Sequence, residues 1–161
     1  PSPAPPPLSP SGVSCLALQA EAGAGAWPIT TTAAGRAVCG ESDAGLGADG
    51  TAECSAAVGF AAAEALCAAA GARLCSVTEL EEDVAAGTGC DLDLEYVWTA
   101  TSCLANSDLP VVAAGSLAGK EAGKLPLCKA AAQAYPVRCC ADVLESPPPS
   151  SPPPTAGATR A

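Results

Sequence analysis

The sequence predicts a small α+β domain that is held together by disulfides. Two segments with helical patterns precede three short strand-like segments, an order typical of an α+β fold. The 161 residues include one phenylalanine, two tryptophans, two tyrosines and no methionine, so large apolar side chains for a core are scarce. Ten cysteines without any histidine favour five disulfides over zinc, because mixed Cys/His sites are excluded and no C-x-x-C spacing occurs.

Paired cysteines would supply the stability that such a core lacks. Each disulfide contributes roughly 2–4 kcal/mol by restricting the unfolded chain, and disulfides persist in oxidising compartments. The cysteines expected to pair are Cys15, Cys39, Cys54, Cys67, Cys75, Cys90, Cys103, Cys128, Cys139 and Cys140. Ten cysteines allow about 945 pairings, and the residues alone do not choose among them.

Proline divides the chain into a body and two flanking segments. Six of the 16 prolines lie in residues 1–10 and six more in residues 147–154. We expect polyproline II linkers at residues 1–12 and 146–161, with a globular domain over residues 13–145. Because the chain begins without methionine or an apolar signal region, we expect it to be a processed or excised segment of a secreted precursor.

The elements of the body follow from local patterns. Residues 13–39 are expected to be irregular or weakly stranded, since apolar residues alternate over residues 13–18. The strongest helical pattern covers residues 55–70, with Ser55 as N-cap and Gly71 just beyond the end. Its spacing indicates that Cys67 points inward.

A second helix is predicted after Ser76. Ser76 and Thr78 are each followed three residues later by a glutamate, the capping-box arrangement in which a hydroxyl and a carboxylate satisfy exposed amides. Glycines at 87 and 89 are expected to end this helix. Short strands are then predicted at residues 96–99, 109–112 and 135–140.

Charge and residue usage exclude several function classes. Seventeen acidic against seven basic residues give a net charge of −10, which disfavours nucleic acid and anionic membranes as partners. No apolar run reaches the roughly 20 residues that a membrane span requires. Without histidine the usual general base and the Ser-His and Cys-His pairs are missing, so we expect no catalytic residues and no enzyme activity.

Two sets of residues are candidate sites. Asp91, Asp93 and Glu95 place three carboxylates at alternate positions, an arrangement that could hold calcium; the alternative is a solvated acidic loop, since the pattern lacks the glycine and distal glutamate of an EF-hand. Trp27 and Tyr135 are candidates for binding a partner, because aromatic grooves grip polyproline II helices. Trp98 is expected to lie in the core.

Four segments of the body carry cysteines, glycines and a tryptophan in a recognisable order. They are CAAAGARLCSVTEL at 67–80, GTGC at 87–90, VWT at 97–99 and RCCAD at 138–142. Over about residues 54–142 this order resembles a cysteine-rich module of green-algal mastigoneme-type glycoproteins, which form flagellar filaments. The Ser/Pro-rich flanks resemble those of algal hydroxyproline-rich extracellular glycoproteins.

The same stretch more distantly resembles a C-type-lectin-like domain. This resemblance implies two helices, short antiparallel strands and disulfides that pair Cys67 with Cys139 or Cys140, and Cys103 with Cys128. Sugar-binding members carry Glu-Pro-Asn or Gln-Pro-Asp together with Trp-Asn-Asp, and none of these motifs occurs here. The familiar calcium-sugar site of that family is therefore missing.

The resemblance of the flanks implies prolyl hydroxylation and O-linked sugars on hydroxyproline and serine. The positions are Ser9, Pro10, Ser146, Pro147, Pro148, Pro149, Ser150, Ser151, Pro152, Pro153 and Pro154. Unmodified linkers are the alternative.

We therefore expect a secreted structural glycoprotein module that assembles into a filament or a fibre of the extracellular matrix, cell wall or flagellar surface. Its expected partners are copies of itself or related modules, polyproline II rods and O-linked glycans, without membrane insertion. The alternative is a carbohydrate-binding, lectin-like module, in which the three candidate carboxylates bind calcium. Apart from that ion no cofactor is expected.

Overall fold

The computed structural model describes residues 15–22, 26–42, 54–104 and 108–143. Within them, four short helices accompany two antiparallel sheets, which confirms the predicted α+β class. The helices are α1 (Cys15–Ala22), α2 (Phe60–Ala69), α3 (Val77–Glu81) and α4 (Leu117–Glu121). The strands are β1 (Ile29–Thr31), β2 (Ala37–Glu41), β3 (Arg73–Leu74), β4 (Tyr96–Ser102), β5 (Pro110–Ala114), β6 (Leu127–Cys128) and β7 (Cys139–Asp142). The two predicted proline-rich linkers lie outside the described residues.

The first sheet has the strand order β1-β2-β7-β3, and the second has the order β4-β5-β6. Strands β2 and β7 lie side by side at the centre of the first sheet, with Cys39 opposite Ala141. Strand β1 joins β2 through a tight turn in which Gly35 has a φ of +85°, a conformation that glycine adopts without steric cost. The last strand of the described residues, β7, is therefore a central strand of the first sheet.

Helix α1 contradicts the weak strand predicted for residues 13–18. Cys15 and Leu18, three residues apart, are buried, whereas Leu16 is 57% exposed, which is the pattern of one helical face. The alternation of apolar residues was misleading because one of those residues faces solvent. Leucine, alanine and glutamine favour a helix intrinsically.

Helix α2 begins at Phe60 rather than near Ser55. The segment before it is extended because Val58 forms an isolated bridge with Tyr135, with two backbone hydrogen bonds of 3.0 Å. The Ser55 hydroxyl accepts a hydrogen bond from the Val137 N–H at 2.9 Å and so does not cap the helix. The predicted end is confirmed, since Gly71 follows the helix with a φ of +88°.

Helix α3 carries the predicted capping box. Ser76 Oγ accepts from the Glu79 N–H, and the Glu79 carboxylate accepts from the Ser76 N–H. The helix ends at Glu81, earlier than the predicted glycines, and turns continue to Asp91. The strands predicted around residues 96–99 and 109–112 are β4 and β5; β7 occupies only the end of the segment predicted at 135–140.

All ten cysteines form disulfides, which confirms the disulfide-rich character. The pairs are Cys15–Cys39, Cys54–Cys90, Cys67–Cys139, Cys75–Cys140 and Cys103–Cys128. Adjacent residues of a strand point to opposite faces, so Cys139 and Cys140 enter two different core clusters. Strand β7 is thereby tied on one face to α2 and on the other to the segment that precedes α3.

The two ends of the described body lie next to each other. Cys15 is bonded to Cys39 on β2, and its sulfur lies 3.1 Å from the carbonyl oxygen of Ala141 on the neighbouring strand β7. The segments that precede Cys15 and follow Val143 therefore attach to the same part of the body. Among the described residues, no helix is both long enough and apolar enough to cross a membrane.

Candidate functional site

A groove without charged side chains lies between the first turn of α3 and the sheet β4-β5-β6. Its volume is about 520 Å³, within the size range of ligand sites, roughly 300–1,000 Å³. The residues that line this uncharged groove are Val77, Thr78, Thr101, Ser102, Leu104, Val111, Pro126, Leu127 and Cys128. This groove is the candidate functional site.

Backbone contacts and a disulfide fix the walls of the uncharged groove. The Ala100 N–H donates to the Cys75 carbonyl at 2.8 Å, and the Val77 N–H donates to Thr101 Oγ1 at 3.0 Å. These bonds fasten β4 to the start of α3. The Cys103–Cys128 disulfide joins the residue after β4 to β6, so the remaining wall is attached covalently.

Leucines and hydroxyls give the groove its chemistry. The Leu104 side chain is fully exposed and Leu127 is 40% exposed, although large apolar side chains are scarce in this chain. The hydroxyl groups come from Thr78, Thr101 and Ser102. The groove can therefore contact the apolar parts of a ligand and donate hydrogen bonds to its acceptor atoms, but its lining offers no charge for an ionic partner.

An ion-pair network holds α3, and with it one groove wall, against the first sheet. Arg73 donates two hydrogen bonds to the Glu79 carboxylate, both of 2.9 Å. Asp142 accepts from Arg73 at 3.1 Å and from Arg36 at 2.5 Å. These residues connect α3, β3 and β7 with the turn that leads from β1 to β2.

The network keeps its carboxylates ionised. Burial alone would raise the pKa of Glu79 and of Asp142, but the hydrogen bonds and charge of Arg73, with a further contribution from Arg36, outweigh it and lower both pKa values. Burial would likewise lower the pKa of Arg73, but the two carboxylates raise it. The charges therefore compensate one another inside the protein.

The structure does not bring the three predicted calcium ligands together within the part of the chain that it describes. The carboxylate of Asp93 lies 2.7 Å from the buried guanidinium of Arg138 and accepts a hydrogen bond from the Gly87 N–H at 3.1 Å. Positive φ values at Cys90 and Asp91, 65° and 54°, place a turn at the start of this segment. Among the described residues, no potential metal-binding group, with ligand atoms within 4.8 Å of one another, contains all three of Asp91, Asp93 and Glu95.

One group of potential metal ligands does come together in the described part of the chain: Cys75, Glu79 and Cys140. Its two sulfurs are bonded to each other, and disulfide sulfurs are not the thiolates that bind metals. Its carboxylate is already paired with Arg73. This group is therefore structural.

The prediction that Trp27 faces a partner is wrong. Its side chain is 2% exposed and packs in the same core cluster as Cys15. Its φ is 54°, uncommon for a bulky residue, and two hydrogen bonds support that conformation: the Trp27 N–H donates to Glu41 at 3.1 Å, and the Gln19 amide donates to the Trp27 carbonyl at 2.8 Å. With few large side chains available, the fold uses this one in its core.

Tyr135 is partly buried and belongs to an aromatic cluster. Its ring centroid lies 5.1 Å from that of Trp98, and Phe60 lies 5.4 Å from Trp98, both in edge-to-face geometry. Trp98 is fully buried, as predicted, and its indole N–H donates to the Val58 carbonyl at 2.7 Å. Tyr135 does not line the uncharged groove, and its role as a partner-binding residue stays a prediction.

The sequence analysis missed the uncharged groove because its lining comes from four separated segments. The only sequence feature that hinted at the groove was the presence of several leucines between Cys103 and Cys128, two of which line it. The residues predicted to carry O-linked sugars, at positions 9–10 and 146–154, lie outside the described part of the chain. Comparisons of the chain with protein-family models, curated proteins and solved structures gave no match.

Proposed function

We propose that this chain is a structural module of an extracellular fibre, in which stapled bodies are strung between proline-rich segments. The observation that carries the proposal is the arrangement of disulfides around β7. Adjacent cysteines in this strand lock two core clusters, while Cys15–Cys39 fastens the start of the body to the neighbouring strand β2. A small body with few large apolar residues is thus cross-linked where the flanking segments attach.

The surroundings of such a fibre fit the composition. Disulfides persist outside the cell, and a net charge of −10 favours solubility over non-specific association. Hydroxylated and glycosylated prolines in the flanking segments would stiffen them as polyproline II rods that space the bodies. The fibre would belong to an extracellular matrix, cell wall or flagellar surface, and its partners would be copies of the module or related modules.

The contact between Asp93 and Arg138 disfavours the calcium-dependent form of the carbohydrate-binding alternative. Arg138 already neutralises Asp93, so the three carboxylates that were to hold the ion do not act together. A lectin role would need a different set of residues.

The test is the state of the full chain secreted from a green-algal host that hydroxylates and glycosylates prolines. We expect sedimentation velocity to show concentration-dependent oligomers, electron microscopy to show linear arrays, and immunogold labelling to mark the cell exterior. A chain that stays monomeric at every concentration, or is found inside the cell with reduced thiols, would overturn the proposal.

A further inference from the structure

The uncharged groove is an exception on a strongly acidic protein. None of the residues that line it is charged, whereas the chain as a whole carries a net charge of −10. An acidic ligand would be repelled by the overall charge, and a basic ligand would find no carboxylate in the lining. The ligand that fits this groove is therefore itself uncharged.

The chain contains such a segment. Residues 146–154 read SPPPSSPPP, with no charged residue. Proline has no backbone N–H, so this segment presents mostly carbonyl acceptors and apolar rings. A polyproline II helix has no internal hydrogen bonds and is already ordered, so it loses little entropy when it docks.

The groove offers the complementary groups. Thr101 Oγ1 accepts a hydrogen bond from the Val77 N–H, and within the described part of the chain no group accepts the proton of this hydroxyl. Thr78, on α3, supplies a second hydroxyl to the lining. The aliphatic side chains of Leu104 and Val111 provide contact surface for the pyrrolidine rings.

The geometry points to the uncharged groove as the docking site for residues 146–154 of a neighbouring copy. This inference rests on the proposed function, since it supplies the contact between successive modules. Residues 146–154 fit better than residues 1–10 because they contain two runs of three prolines, and three residues make one turn of a polyproline II helix. With three residues per turn, one face contacts the groove while sugars occupy the others.

The test measures the binding of a fluorescent synthetic peptide, SPPPSSPPP, to the full chain. Leu104→Glu places a charge at the mouth of the groove without disturbing the core, because Leu104 is fully exposed. Leu94→Glu is the matched control, since Leu94 is 51% exposed and lies outside the lining. We expect Leu104→Glu to weaken binding about tenfold or more, a loss of at least ~1.4 kcal/mol, and Leu94→Glu to leave it unchanged.

Two further arms make the outcome specific. The peptide SAAASSAAA, which lacks the polyproline II preference, should not bind. A full chain with the prolines of residues 147–154 replaced by serine should bind the peptide as the natural chain does when both are measured at concentrations where sedimentation shows monomers. Tighter binding to the serine variant under those conditions would show that a chain's own segment occupies its groove. That result, absent peptide binding, or equal weakening by both glutamate variants would each overturn the inference.

Sedimentation of the same variants separates this inference from the proposed function. If both hold, Leu104→Glu abolishes assembly and Leu94→Glu does not. If Leu104→Glu assembles normally and the peptide does not bind, the groove inference fails while the fibre remains. If the peptide binds but the natural chain never assembles, the fibre proposal fails alone.

Discussion

The guanidinium of Arg138 lies 2.7 Å from the carboxylate of Asp93, with the Arg138 side chain 1% exposed and that of Asp93 43% exposed. Arg138 also donates to the Gly115 carbonyl at 2.6 Å and to the Ser42 hydroxyl at 2.7 Å. Burial lowers the pKa of Arg138, and Asp93 opposes that shift. The pair anchors the acidic loop to the residue that directly precedes β7.

Asp93→Asn should therefore destabilise the protein by about 1–2 kcal/mol, because a buried cation loses its carboxylate partner. Asp91→Asn is the control and should change stability by less than about 0.5 kcal/mol, since Asp91 is exposed. Urea denaturation with intact disulfides measures both. A natural chain whose midpoint rises on adding calcium, with the rise lost in Asp93→Asn, would contradict the structural role.

Acid should weaken the network of Arg36, Arg73, Glu79 and Asp142. Both carboxyls have a lower pKa in the folded protein, so their contribution is complete above the ordinary carboxyl range, about pH 4–4.5, and is lost as the pH falls through the folded values. We expect the melting temperature of the natural chain to decrease at pH values below about 4. The decrease should be less steep in Glu79→Gln. Glu64→Gln, on the exposed face of α2, should keep the steep decline.

The five disulfides should differ in their rates of reduction. Cys54 and Cys128 are exposed, whereas both cysteines of the other three pairs are fully buried, and thiol–disulfide exchange requires access to a sulfur. A mild reductant followed by alkylation and peptide mass spectrometry should therefore label Cys54–Cys90 and Cys103–Cys128 first. Equal labelling of Cys67–Cys139 at early times would show that the core opens more readily than the structure implies.

Removing the cap of α3 should have a measurable cost. Ser76→Ala loses the bond from the Glu79 N–H to Ser76 Oγ, 3.1 Å long, and should reduce stability by about 1 kcal/mol. Thr78→Ala, two residues further along at an exposed position, should change stability by less than about 0.5 kcal/mol. Chemical denaturation compares the two, and equal losses would mean that the capping box is not the cause.

Local signals predicted the elements that depend on near neighbours. The capping box of α3 joins residues three apart, and Gly71 ends α2 because its left-handed conformation suits glycine. The start of α2 was wrong because Val58 pairs with Tyr135, a partner far along the chain that no local pattern reveals. The weak strand expected over residues 13–18 was wrong from Cys15 onward, because the alternation was too short to distinguish a strand from a helix.

The sites depended on distant partners even more strongly. From the sequence alone Asp93 was predicted to bind calcium, whereas in the structure it contacts Arg138. Trp27 was predicted to be exposed, whereas in the structure Glu41 and Gln19 hydrogen-bond to its backbone. The resemblance implied that Cys67 pairs with Cys139 or Cys140 and that Cys103 pairs with Cys128. The structure contains Cys67–Cys139 and Cys103–Cys128. The other three pairings depend on which strands and loops the fold brings together, and the spacing of the cysteines along the chain does not predict them.

The contact between Cys15 and Ala141 determines how tension would pass through the molecule. A force applied to the segments before Cys15 and after Val143 would pass through the Cys15–Cys39 disulfide and the hydrogen bonds between β2 and β7. The rest of the body lies outside this load path. Stretching a fibre of such modules would therefore leave the rest of each body folded. Each body would add very little to the contour length of the fibre.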